Sequence, residues 1–402
     1  LAIRERKKYR DFYAGGEELS SYLVQHVSED PAKFARRKQR FTSINYVTPL
    51  ADKIIDGLYG PRVERRLDNA SEAEIAIAQG WWDTNNMHRK MLENAVNTVV
   101  TGDGWVKPYW DEEAQMLRLA VLDPNNIKVI SRGDDYERIQ VLFESRIEQS
   151  YKGGKIETAK RHFVWTDEEY GELYEIGNSG YFTEGGMEPN IYGLIPYAHW
   201  KGRSMPGQFS GLSMIRDAVT IQKEINNRSS VLTVLILMQG FSQLVVKGEV
   251  ITELKAGESG FFKISKDGDA FYLQPNAPIK DTQDSIEWLI SKLFETGNVP
   301  ISAVRSGSAA SGIALAIEYK PLSDVVQRMK TQATESESDL FNACRAIQNM
   351  HGFKISDSAQ FVCDFPETFL PTDRAVEMMS DLTLLNNTPP LMSREEFWKK
   401  WN

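Results

Sequence analysis

The chain is poor in the residues that build metal centres and disulfide frameworks: 402 residues hold two cysteines and five histidines. Cys344 and Cys363 fall on a helical and a strand-like stretch, which reads as two small buried hydrophobes in a reducing compartment. His26, His88, His162, His199 and His351 are scattered, with no HExxH and no Cys/His cluster, so no metal or other cofactor is expected. An excess of positive charge is also missing. The formal net charge of −9 excludes a chain built throughout as a basic nucleic-acid clamp. No window is long and apolar enough to span a membrane, the densest being Val231 to Met238, and the N-terminus carries no charged-then-apolar signal. Folding or assembly in the cytosol is therefore expected. GxSxG, a Cys–His–Asn arrangement, a dinucleotide fingerprint and a defined carboxylate pair are absent too, which leaves no enzyme signature.

What is present suits a soluble globular protein of more than one region, with 41% hydrophobic and 26% charged residues. The organising stretch runs from Asp281 to Gly352. TQDSIEWLISKLFETG (282–297) sets Ile286, Leu289, Ile290, Leu293 and Phe294 on one helical stripe, stopped at Gly297-Asn298. NVPISAVRSGSAASGIAL (298–315) follows as an open Ser/Ala/Gly loop. Gly307 and Gly312 have the spacing of a phosphate-binding loop, but Ile313-Ala314 stands where Lys-Ser/Thr is required. Beyond it, Leu322, Val325, Val326, Met329, Ala333, Leu340, Phe341, Cys344 and Ile347 predict one long helix that Pro321 kinks or restarts.

The rest falls into order around that stretch. Residues 1–40 are charged and helical, and the run Arg36-Arg37-Lys38-Gln39-Arg40 reads as a solvated face, with nucleic-acid contact the second reading. Residues 41–60 and 71–101 predict amphipathic helices. The period then drops to two: strands over 104–148 and 161–184 form an antiparallel meander. Trp105, Tyr109, Trp110 and Trp165 read as a packed aromatic cluster. NIYGLIPYAHWKG (190–202) is a Pro-containing extended link, and 211–238 is a helix of ~42 Å if straight. A small β element (243–275) separates that helix from the one at 282–297, so two helical legs carry a small head. FVCDFP adds a late strand, and Ser393 caps a final helix over REEFWKKW.

In order and spacing these stretches resemble the portal proteins of tailed bacteriophages of the siphovirus type. The resemblance rests on NIYGLIPYAHW before the first leg, the leg–head–leg unit at 211–297, and Ser311-Gly312-Ile313-Ala314-Leu315 ahead of the long helix. Tyr13-Ala14-Gly15-Gly16, Asn45-Tyr46 and GDGWVKPYWDEE add weaker support. It implies an α+β portal fold with a mixed wing (1–200, returning within 312–371), a two-helix stem (201–238 and 281–297) and a β clip (239–280). A tunnel loop (298–311), a long kinked helix and a short helical crown start (372–402) complete it.

The resemblance further implies a structural, non-enzymatic subunit of a homo-oligomeric, dodecameric ring at one capsid vertex of the virion, assembled in the host cytoplasm, with no membrane partner. Double-stranded DNA would pass without sequence specificity, driven by the large subunit of a separate terminase, then be retained and ejected. Head–tail adaptor, major capsid and scaffolding proteins would be further partners. Twelve copies would carry roughly −108 formally, a field that repels phosphate rather than gripping it. The tunnel loop would present Val299, Ser302, Arg305, Ser306, Ser308 and Ser311 to DNA, with Arg305 meeting phosphate or an intersubunit carboxylate. Lys255, Glu258, Phe261, Phe262, Lys266 and Tyr272 of the clip would dock terminase and adaptor, unless Phe261, Phe262 and Tyr272 are buried within it. Leu232, Leu235, Leu237, Trp288 and Leu289 would pack stem against stem. Two other classes stay open: a nucleotide-using DNA-processing enzyme of the packaging machinery, and a capsid shell protein.

Overall fold

The computed structural model describes residues 2–152, 154–175, 182–240, 243–247, 268–273, 278–303, 312–366, 382, 385 and 393–401. The chain divides into two compact units. Residues 1–13, 47–217 and 294–402 form the first, and residues 14–46 and 218–293 the second. Residues 14–46 therefore cluster with the expected stem and clip rather than with the expected wing.

The first unit is built on a three-stranded antiparallel sheet in the order β3–β2–β9, from Asp103–Asp111 (β2), Met116–Leu122 (β3) and Ala198–Lys201 (β9). The stretch read as an extended link thus supplies a strand of the central sheet. β9 pairs only with Asp103 to Val106, so Pro108 lies past its end, where β2 has a free edge and a missing N–H costs nothing. Helices Val47–Tyr59 (α3), Met87–Thr101 (α5) and Gly312–His351 (α8) form the helical layer, with α5 and α8 against β2 and α8 also against β9. The long-helix stripe is buried as its spacing requires: Leu322, Val325, Val326, Met329, Ala333, Leu340, Phe341, Cys344 and Ile347 all lie below 9% exposure. α8 runs through Pro321 without restarting. The carbonyl that proline leaves unpaired belongs to Ile317, an exposed residue where water can take its place.

At one corner three backbone segments cross at Gly102, Gly202 and Gly211. The Gly202 N–H donates to the Gly102 carbonyl at 2.8 Å, and a Cβ on Gly211 would sit 2.3 Å from that oxygen. Gly102 also adopts φ 94°, ending α5 in the left-handed conformation. No larger residue fits that crossing.

The strands expected as one meander divide between two sheets: β2 and β3 belong to the first, and a second runs β4–β5–β6–β7–β8, from Ile127–Ser131, Ile139–Lys152, Lys155–Trp165, Glu169–Glu175 and Phe182–Pro189. Its inner face packs Ile127, Leu142 and Trp165 with Trp105 and Tyr197. The expected aromatic cluster divides here. Trp105 and Trp165 are core, whereas Tyr109 is 44% exposed and Trp110 stacks on His351. A third, two-stranded sheet joins Glu64–Asp68 (β1) to Gln360–Asp364 (β12), from opposite ends of the unit's sequence. Among the described residues this unit also has helices Ala2–Ala14 (α1), most of which falls here, Glu72–Thr84 (α4) and Arg394–Trp401 (α9). Ser393 caps α9 reciprocally with Glu396, as the sequence predicts.

Three buried carboxylates of this unit, Asp103, Glu144 and Glu337, have cationic partners. Asp103 accepts from Arg6, from His199 Nε2 at 2.8 Å and from the Gly211 N–H at 2.8 Å. Burial opposes its ionisation, but these donors outweigh burial and hold its carboxyl below the ordinary range. Lys107 donates to Glu144 at 3.0 Å, which also takes Arg146 at 2.6 Å and the Tyr197 hydroxyl. Burial lowers the Lys107 ammonium to about 8 despite Glu144. Against the pull of burial, Arg146 and Lys107 bring Glu144 down to about 2. Arg65 and the Tyr59 hydroxyl both reach Glu337, itself 1% exposed.

Candidate functional site

The second unit carries Pro31–Gln39 (α2), Arg216–Gly240 (α6, from residue 218) and Ile279–Thr296 (α7, to residue 293). Between α6 and α7 lie the antiparallel strands Gln243–Lys247 (β10) and Asp269–Leu273 (β11). Helix, antiparallel strand pair and helix thus follow in that order, and Tyr272 sits in β11 opposite Leu244. Lys255, Glu258, Phe261, Phe262 and Lys266 lie outside the described residues.

The first half of α6 is held by polar groups aimed at the N-terminal segment. Gln222, fully buried, accepts from the Tyr46 N–H at 2.9 Å and donates to the Ile44 carbonyl at 2.9 Å and to Asn226 at 2.8 Å. Asn227 accepts from the Val24 N–H at 2.9 Å. Arg37 is the largest correction to the sequence reading. Placed on a solvated basic face, it is 4% exposed and grips Glu29 bidentately at 2.8 and 2.7 Å. It also donates to Ser230 Oγ at 2.6 Å and to the Val24 carbonyl at 2.9 Å. The hydrogen bond from Arg37 lowers the Glu29 carboxyl below its ordinary value. A buried arginine with four of its five N–H groups committed within the chain is no part of a solvated basic face. Gln222 and Asn226, four apart on a helix, were the one available signal of this network.

The second half of α6 differs. Val231 is 41% and Ile236 48% exposed, and Leu232, Leu235 and Leu237 are only half-buried. On α7, Trp288 is 58% exposed while Leu289 is 8% exposed. Leu289 is thus consumed within the chain and leaves the set of intersubunit residues. Arg228 bridges the two helices by donating to Ser285. A cleft of about 930 Å³ lies between Val24–Val27, α6 and the first turns of α7, with Val27 fully exposed at its rim.

The segment after α7 belongs to the first unit. Asn298 takes φ 56°, and the Val299 N–H returns to the Phe294 carbonyl at 3.1 Å. Val299 is 2% exposed, so it packs in the core and is not available to a duplex, contrary to expectation. Ser302, half-buried in a short 3-10 turn, donates to Glu318 at 2.6 Å. Arg305, Ser306, Ser308 and Ser311 lie outside the described residues. Among the described residues no group of three or more His, Cys, Asp or Glu side chains is placed to hold a metal ion.

Solved structures of similar fold come from gene transfer agent (GTA) particles. The virion of a native particle superposes with TM-score 0.54 at 12% identity, covering 97% of this chain and 97% of that one. The neck of an empty particle, computed with C6 symmetry, gives 0.53 at 13% identity, covering 95% and 97%. The neck of a native particle, computed with C12 symmetry, gives 0.50 at 11%, covering 88% and 89%. At such identities the likeness shows the fold alone, a mixed α/β architecture. Residues 5–364 match the phage portal protein family, SPP1 Gp6-like, and the chain belongs to that family. It is a structural portal subunit. No curated protein matches it.

Proposed function

We propose that copies of this chain close into a ring of twelve at one capsid vertex of a phage-like virion, through which double-stranded DNA is packaged, retained and ejected. The observation that carries this reading is the uncovered apolar surface of the second unit, at Val231, Ile236 and Trp288, on a chain of the portal family. Patches of this kind mark partner surfaces. A heterologous contact that closes on rotation supplies the partner from a neighbouring copy. In that arrangement Leu232, Leu235, Leu237 and Trp288 pack between stems. Ser302, Arg305, Ser306, Ser308 and Ser311 face the channel as the tunnel loop. Lys255, Glu258, Phe261, Phe262, Lys266 and Tyr272 of the clip meet the terminase large subunit before packaging and the head–tail adaptor after it. Major capsid and scaffolding proteins surround the ring, and assembly takes place in the host cytoplasm.

The net charge of −9 per chain suits a channel that lets phosphate slide without the counterion-releasing grip of a DNA-binding protein. ATP hydrolysis falls to the terminase, since the Gly307–Gly312 segment lacks the lysine and hydroxyl of a phosphate-binding loop. The test is packaging in vitro, read as nuclease-protected DNA. Protection is expected to need this chain together with terminase and ATP, and the chain alone to hydrolyse none. Protection without it, or hydrolysis by it, would overturn the proposal.

A further inference from the structure

Val24 to Val27 form one wall of the cleft beside α6 and α7, within the second unit. The turn they belong to runs on to Glu29, whose N–H donates to the His26 carbonyl at 2.9 Å. Both ends of this stretch are fixed. Leu23 before it is 7% exposed, and Asp30 after it caps α2, accepting from the Ala32 N–H at 2.9 Å. Between those ends no side chain is buried. Val24 is 54% exposed and Val27 completely so. Valine is out of place at the tip of a tight turn, where Gly, Asn, Asp or Ser ordinarily stands. A stretch that buries no apolar side chain belongs to the least stable part of a fold, so hydrogen bonds set its position.

The bonds that tie this stretch to α6 run through two side chains. Asn227 pins the Val24 N–H at 2.9 Å. Arg37 donates to the Val24 carbonyl and to the Glu29 carboxylate, the start and the end of the stretch, and anchors both to Ser230 on α6. With both ends drawn to one guanidinium, the tip at Val27 stands off in water. Val231 lines the same cleft and is 41% exposed. It lies one turn beyond Asn227, ~6 Å along the helix. Val27 is three residues from the pinned Val24, a reach of up to ~10 Å. The tip can therefore meet Val231 by turning about Val24, and the contact takes two valines out of water.

We propose that residues 24–29 are a lid on this cleft, that Arg37 latches it open, and that once released it folds Val27 onto Val231. Val231 is also one of the residues the ring gives to a neighbouring copy, so the closed lid competes with assembly. That competition rests on the ring, whereas the closure itself does not.

The test uses the full chain carrying Val27→Cys and Val231→Cys, both at exposed positions, alone and together with Arg37→Met or the milder Glu29→Gln. The native Cys344 and Cys363 are buried. Diamide takes up the hydrogens of the two introduced thiols, and the disulfide formed within one chain is read by mass under denaturing conditions. Either latch variant is expected to form it at least about tenfold faster than the cysteine pair alone. Hydrogen exchange over residues 218–226 is expected to stay slow in both. Equal crosslinking rates in all three chains, or exchange at 218–226 that quickens in both variants, would overturn the lid. If Arg37→Met alone loosens the helix, the Glu29→Gln rate decides. Mass photometry of the crosslinked chain is expected to show at least about tenfold weaker self-association than the reduced chain. Equal assembly of the two would overturn the competition. A reduced chain that never assembles would overturn the ring and leave the crosslinking rates to decide the lid.

Discussion

Two apolar helices of this chain meet different fates. In the first unit α8 buries its whole stripe and satisfies each polar intruder: Glu337 with Arg65 and Tyr59, Ser336 with the His199 carbonyl, Gln348 with Trp81. In the second unit α6 begins the same way, with Gln222, Asn226 and Ser230 buried and partnered. It ends on Val231 to Leu237 with none of those seven residues buried. Similar composition therefore serves two ends. One helix completes a fold within the chain, and the other leaves apolar surface that no described residue covers.

Substitutions sharpen that contrast, beginning with the largest effect. Glu337→Leu leaves the Arg65 guanidinium buried without its counter-ion and is expected to cost about 3–5 kcal/mol of unfolding free energy, read by denaturant titration. Phe341→Ala, in the same stripe, is expected to cost a similar ~3–5 kcal/mol. A loss below ~1 kcal/mol for either would break the claim that the first unit is self-sufficient.

Acid comes next. Glu144 stands at about 2 when folded against an ordinary 4.5, so it stabilises the chain above pH 4.5 and the contribution is lost as pH falls from 4.5 toward 2. The loss is on the order of 3 kcal/mol. Glu144→Gln is expected to flatten thermal stability over that window, and an unchanged slope would remove Glu144 from the acid response. Ser71→Ala deletes the capping box that Ser71 forms with Glu74 at the start of α4, expected to cost about 1 kcal/mol. Smallest is Trp288→Ala, on the exposed face of α7. Its expected effect on the unfolding of the isolated chain is within about 0.5 kcal/mol, with the loss appearing instead in self-association.

Much of this was legible because local pattern and final environment agree. The α8 spacing, the strands of the meander, the antiparallel pair between α6 and α7, and the Ser393 cap each depend on residues near one another in sequence. Strand β1 was not legible. ERRLD has four charges in five residues and no alternation, and its partner lies nearly three hundred residues away. β9 hid inside a Pro-containing link, since the length of a strand is set by what pairs with it. Arg37 read as surface because Ser230 lies 193 residues on, and no local rule says which of several consecutive basic side chains turns inward. Val299, expected to face DNA, and Leu289, expected between stems, are buried for the same reason. Helical or loop position is written locally, but burial is decided by the rest of the unit.

The account's central claim is that a second copy covers the apolar surface of the second unit. Mass photometry of the purified chain beside its Trp288→Glu variant tests it most directly. The account predicts one closed species near twelve times the 45.7 kDa chain mass for the native sequence, and its collapse to single chains in the variant. A native chain that stays single, or a variant that assembles as well as the native one, would contradict it.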